Sequence, residues 1–245
     1  MFLLAEWLIL TGQDSFSGVL GILGVLTNSI FSGLIPVLLL VASRRKGEVV
    51  PGVVLSFLGN PLILGGIYLL YTAVLLAHGL IIWEAPAARA AALLTAVLAL
   101  GATAVMVRGG AFNRRVVVEL REDLRQAGRS AFAVTSVGRP AEVDVRLEYA
   151  ADEQRCRAAT GEIPEFGALR RATFQLPAGP ARELKVWAHR ATPEGASEGL
   201  PALLEVQGDG ETRQVDLKLS AGQALLPIRG AACRVTIALA EPAAS

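Results

Sequence analysis

Residues 87–123 read AARAAALLTAVLALGATAVMV, then RGGAFNRR, then VVVELRED. The first stretch carries one charge, Arg89, and is about as long as the 20 apolar residues a helix needs to cross a bilayer. The second carries Arg108, Arg114 and Arg115. In the third, apolar and charged residues begin to alternate, the pattern of a strand with one buried face. Within about thirty residues the chain changes from one solvent to another.

The rest of the chain divides at the same place. Residues 1–107 hold only four of the 23 Lys/Arg and four of the 22 Asp/Glu. A single soluble domain would not segregate charge this way. At 53 % hydrophobic residues, intrinsic disorder is excluded for most of the chain. The net charge of +1 leaves no broad basic footprint, so nucleic acid is not an expected partner. The expected fold class is a membrane α-helical region of three transmembrane helices plus an all-β antiparallel sandwich as a soluble domain.

Upstream of Arg108 the sequence predicts helices over about 17–42, 61–83 and 87–107, together a transmembrane region of residues 17–107. Hydrocarbon forces each to be helical, since an unpaired backbone group there costs several kcal/mol. Gly59-Asn60-Pro61 breaks the second apolar stretch, with Asn60 as N-cap and Pro61 as first helical residue. Pro36 predicts a kink in the first helix. Residues 1–16 form a short apolar N-terminal segment. They lack the basic start and small-residue cleavage site of a signal peptide. They read as an interfacial segment or as the end of a helix that begins further upstream.

Basic residues near helix ends orient the spans. Arg44, Arg45 and Lys46 follow the first, and Arg108, Arg114 and Arg115 follow the third; the opposite side has only Arg89. The expectation is an integral protein of the cell (inner) membrane with a cytoplasmic C-terminal domain. Its first partner is the lipid bilayer.

Two sets of intramembrane residues stand out. Ser17, Gly21, Gly24, Asn28 and Ser32 fall in one stripe of the first helix. Small residues let a second helix approach closely, and Asn28 can hydrogen-bond across the contact. This is a candidate helix-packing face, for other transmembrane helices or for copies of the same chain; a polar substrate path is the sharper alternative. Tyr68, Tyr71 and His78 share a side of the second helix. A titratable group within a span is a functional candidate by default, although His78 lies near the interfacial Trp83.

Residues 108–114 read as a basic linker and 115–245 as the sandwich. Nine strands are predicted: Val116–Leu120, Ala131–Val137, Glu142–Tyr149, Arg171–Leu176, Glu183–Arg190, Ala202–Gln207, Thr212–Leu219, Ala224–Ile228 and Cys233–Ala240. Gly138-Arg139-Pro140 and Pro177-Ala178-Gly179-Pro180 are turns between them. Asp152–Leu169 lacks alternation and reads as a surface loop or crossover.

Catalytic constellations are scarce, and the chain is not expected to be an enzyme or to hold a metal or other cofactor. The two histidines, His78 and His189, lie in different halves. His189 follows Lys185 and Trp187 in the alternation, which predicts an exposed or inter-element position. Cys233 reads as a small core residue. Cys156, between Arg155 and Arg157 and outside any predicted strand, is a plain exposed thiol or a reactive one. Glu162 and Glu165 read as a solvated acidic loop.

Ser17–Gly47, with Ile35-Pro36-Val37-Leu38-Leu39-Leu40 and then Ala42-Ser43-Arg44-Arg45-Lys46-Gly47, resembles the late helices of amino-acid permeases of the amino acid–polyamine–organocation type. The resemblance spans roughly residues 1–107. It implies that the chain is the C-terminal part of a transporter, packing against the rest of a permease. That family's substrate contacts lie on earlier helices, so no functional residue carries over. The rival expectation is a small membrane-anchored protein whose cytoplasmic sandwich is a binding or scaffold module.

Overall fold

The computed structural model describes residues 16–46, 60–124, 130–193, 196–208 and 210–239. Residues 1–15, and the apolar lead-in before Asn60, lie outside the described residues, so the interfacial reading of the N-terminus is not addressed. The chain divides into a helical unit ending at Phe112 and a strand unit from Asn113 onward, with Arg44–Lys46 at the end of the first span grouped with the strand unit.

The helical unit has three apolar spans of 29, 22 and 23 residues, each long enough to cross a membrane. The first, Gly18–Lys46, lies within the succession of α1 (Phe16–Asn28), a π-helical stretch Ser29–Leu34 and α2 (Ile35–Lys46). Pro36 explains the interruption. Its ring nitrogen donates no hydrogen bond, and the wider π turn directly upstream accommodates the gap. The second span is α3 (Pro61–Ala77), continued by a π-helical turn over His78–Ile82. The Asn60 side chain accepts from the Leu62 N–H at 2.9 Å, and Pro61 opens the helix. The third is α4 (Pro86–Arg108). Ala88, Ala92 and Ala96 form its buried seam, four residues apart. They pack with Val19, Ile22 and Leu26 of α1 and Leu75 of α3.

Among the described residues the strand unit contains thirteen strands in two sheets. They are β1 (Arg115–Asp123), β2 (Ser130–Ser136), β3 (Arg139–Pro140), β4 (Val143–Tyr149), β5 (Glu153–Ala158), β6 (Thr160–Ile163), β7 (Leu169–Leu176), β8 (Glu183–Ala191), β9 (Ser197–Gly199), β10 (Ala202–Gly208), β11 (Glu211–Asp216), β12 (Gln223–Pro227) and β13 (Cys233–Leu239). A seven-stranded sheet runs β12-β8-β1-β2-β3, with β6 on β2 and β9 on β8; a six-stranded sheet runs β11-β10-β13-β7-β4-β5. The inner faces interdigitate in one core, where Phe132 of β2 meets Phe174 of β7 edge to face at 5.8 Å.

All nine expected strands are present. Three expectations are corrected. The sandwich is mostly but not wholly antiparallel, because β1 and β8 pair in parallel from Arg115↔Glu183 to Asp123↔Ala191. Alternation reports which face is buried and is silent on direction. Asp152–Leu169 is not a loop: it holds β5, β6 and a short 3-10 turn at Phe166–Ala168. The strand expected to run to Leu219 stops at Asp216, whose side chain caps a 3-10 turn over Leu217–Ser220.

Candidate functional site

In the helical unit, the stripe of small residues lies on an open face. Gly21, Gly24, Asn28 and Ser32 are exposed, and a Cβ at Gly21 or Gly24 would meet nothing within 4 Å. The side chain of Ser17 lies outside the described set. The contacts that hold α1 in this chain come from other residues, Val19, Ile22 and Leu26.

Tyr68, Tyr71 and His78 do not converge on one point. The Tyr68 hydroxyl bonds Thr103 of α4 at 2.8 Å. The Tyr71 ring lies against Gly33, so closely that a Cβ there would collide with it; glycine is required by the contact. His78 Nδ1 meets the Val74 carbonyl oxygen at 2.8 Å, and its ring packs edge-on to Trp83 at 4.9 Å. Sequence reading passed over the residue that closes this hairpin. Arg89 donates through Nε to the Gly79 carbonyl at 3.1 Å and through Nη2 to that of Leu80 at 2.8 Å. Carbonyls at a helix C-terminus lack intrahelical donors, and a guanidinium supplies them together with a favourable charge.

In the sandwich, His189 corrects the sequence expectation. It is 5 % exposed. It stacks on Trp187 at 4.1 Å, and Lys185 lies over the other ring of that stack at 5.7 Å from the Trp187 centroid. Its Nε2 is 3.5 Å from the Glu119 carboxylate, and its Nδ1 has no hydrogen-bond partner. Arg121 stands opposite in the β1 register and Gly199 in that of β9. Burial pulls the imidazole below its usual pKa; Glu119 opposes that shift and Arg121 reinforces it. The imidazole is packed into a sheet face in surroundings that favour its neutral form. Cys156 lies within β5 and is exposed, whereas Cys233 is buried. Glu162 and Glu165 are both exposed. Among the described residues no three His, Cys, Asp or Glu are placed to hold a metal.

The outer face of the six-stranded sheet is a different kind of surface. It forms an open basin of about 860 Å³. Cross-strand register sets its rows: Arg157, Asp144, Gln175, Arg234 and Gln207 in one, and Arg155, Arg146, Thr173, Thr236 and Glu205 in the next. At the centre the Thr173 and Thr236 hydroxyls meet at 3.3 Å. Arg146 and Arg155 both bind Glu153, and Arg146 also binds Glu148. The hydrogen bond from Arg155, with help from Arg146, holds Glu153 below the usual carboxylate range. Arg157, Arg171 and Arg234 line the same basin without any carboxylate within salt-bridge distance among the described residues. The alternation in β4 already placed Asp144, Arg146 and Glu148 outward. The convergence of arginines from four strands needed the strand order.

No family model matches this sequence, no curated protein matches it, and no solved structure matches its fold.

Proposed function

We propose that the chain is an integral membrane protein whose β-sandwich is a binding module, and that the outer face of the six-stranded sheet receives an acidic polypeptide segment. The observation that supports this is the trio Arg157, Arg171 and Arg234, exposed in the basin without ion partners. A guanidinium presents a rigid fork that matches a carboxylate. The interspersed Asp144, Glu148 and Glu205 repel a uniformly charged polymer, and no aromatic ring lines the basin to stack bases. Separate carboxylates along a peptide meet single arginines, while Thr173, Thr236 and Gln175 serve its amides. The bias of basic residues toward one side supports a cytoplasmic location for the module.

The test uses the full chain in phosphatidylcholine nanodiscs and a fluorescent Asp/Glu-rich peptide. Saturable binding that weakens with added salt is expected, with Arg157→Glu/Arg234→Glu weakening it at least tenfold. Peptide binding that ignores the double variant would defeat the reading.

A second reading keeps the permease resemblance, with the three spans as part of a larger helical assembly. It is favoured by Gly21 and Gly24, which nothing covers among the described residues.

A further inference from the structure

At one end of the sandwich the two sheets part around a cavity of about 250 Å³. Its wall is almost wholly apolar, with Val116, Val134, Val143, Leu176 and Ile228 among the lining, and Ser136 offering a hydroxyl. An engineered cavity of about 150 Å³ holds one benzene ring, and sites for drug-sized ligands start near 300 Å³. This one therefore suits a single small apolar group or a short length of hydrocarbon chain.

Two loops form the mouth. The Gly179 N–H donates to the Gly230 carbonyl at 2.9 Å, tying Pro177–Ala181 to Ile228–Ala231. Gly230 has φ +82°, and a Cβ there would strike the Gly179 oxygen at 2.6 Å. Both conditions demand glycine, so the mouth is built in one conformation.

The rim is basic. Arg139 pairs with Ser136 across the β2–β3 ladder, Arg182 follows Ala181, and Arg229 sits between Ile228 and Gly230. All three are exposed. Arg182 donates to the Arg229 carbonyl, which keeps those two residues together. No acidic residue lines the cavity; Glu142 and Asp144 flank Val143 of its wall, and Glu211, held below its usual pKa by Arg213, lies near enough to Arg229 for that charge to add to the shift. An apolar hole whose mouth segments carry exposed arginines is complementary to an anionic amphiphile. Val116 of the lining follows Arg108, the last residue of α4, by eight residues. That is a covalent tether of at most about 28 Å.

We propose that this end of the sandwich binds an anionic phospholipid, one acyl chain entering the cavity and the acidic headgroup lying against Arg139, Arg182 and Arg229. The site is separate from the sheet face proposed for the acidic peptide, and each can fail alone. Basic clusters are drawn to an anionic leaflet, so the rim discriminates by headgroup while the cavity discriminates by chain.

The test reconstitutes the full chain in phosphatidylcholine bilayers doped with phosphatidylglycerol carrying a photoactivatable group near one chain end. Matching bilayers carry the same probe on phosphatidylcholine. Adducts are mapped by mass spectrometry. The expected result is adducts within residues 134–143, 176–181 and 228–233, at least fivefold more from the anionic probe. Ala141→Leu/Ala231→Leu fills the cavity and should remove these adducts. Arg139→Gln/Arg229→Gln, at exposed positions that leave the core intact, should abolish the preference for the anionic probe. Equal labelling by both probes, adducts confined to the helices, or an unchanged preference in the rim variant would overturn the proposal. So would displacement of the adducts by an apolar peptide with no effect of headgroup.

Discussion

Arg115 is 7 % exposed and donates through Nε and Nη2 to one oxygen of Glu183, at 3.1 and 2.9 Å. The two residues are register partners at the start of the parallel β1–β8 pair. Burial works against the ionised form of Glu183, but the Arg115 guanidinium and the Lys46 ammonium together outweigh it, and the carboxyl stays below its usual range. Lys46 also binds this carboxylate, at 3.2 Å, so losing Arg115 leaves Glu183 one cation and costs less than the roughly 3 kcal/mol of a buried charge left without any partner. Arg115→Met should lower sandwich stability by about 1–3 kcal/mol in urea unfolding; a change below about 0.5 kcal/mol would place the pair among surface ion pairs. His189 contributes a pH dependence at milder pH. Its folded pKa lies below the unfolded value near 6.5, so the unfolded chain takes up the proton first. Stability is therefore full above that value and declines as pH falls toward the folded pKa. Glu183 acts in the same direction but only below about pH 4.5, where the unfolded chain's carboxyl takes up its proton while the folded one still resists. Between about pH 7.5 and about pH 5.5 the wild-type chain should lose stability, and His189→Gln should flatten that slope. A slope unchanged by the substitution would assign it to other groups.

At the scale of elements, the sequence revealed what solvent asymmetry leaves in the residue pattern. Val143, Val145 and Leu147 of β4 alternate with Asp144, Arg146 and Glu148, and burial follows that alternation. Edge strand β5 has five exposed residues in succession; with no face to bury, Glu-Gln-Arg-Cys-Arg carries no periodicity to read. The π-helical stretch before Pro36 is a similar case, since proline signals a disruption without specifying its form. The open stripe on α1 was legible as a pattern, and its exposure gives the pattern a consequence. A helix backbone bared at Gly21 and Gly24 can be approached by another helix to the distance that small residues allow. Gly21→Leu/Gly24→Leu should weaken association of the chain, with itself or with other helices, at least severalfold in a membrane cross-linking assay. Undiminished cross-linking would assign the stripe to lipid.

At the scale of the whole molecule, strand order was the missing information. Nine strands could be marked along the chain, but the arginine basin draws on β4, β5, β7 and β13, and the end cavity on segments from residue 116 to residue 233. Long-range pairing of that kind leaves no local trace. Sidedness is argued from local charge instead. Arg44, Arg45 and Lys46 end the first span, and Arg108 and Arg114 follow the third. Arg89, the one basic residue on the other side, is occupied with the carbonyls of Gly79 and Leu80. Arginine used in this way reads as a cap, and its weight against the bias is small. The bias therefore predicts a cytoplasmic sandwich. The two cysteines make the prediction easy to read, because Cys156 is exposed on edge strand β5 while Cys233 is only 6 % exposed. A membrane-impermeant maleimide applied to intact cells should leave the chain unlabelled, and opening the membrane should allow labelling at Cys156. Cys156→Ser should remove that signal, which establishes the reporter. Labelling of Cys156 in intact cells would place the sandwich outside, and would mean that the three arginines of the cavity rim face the outer leaflet's lipids instead.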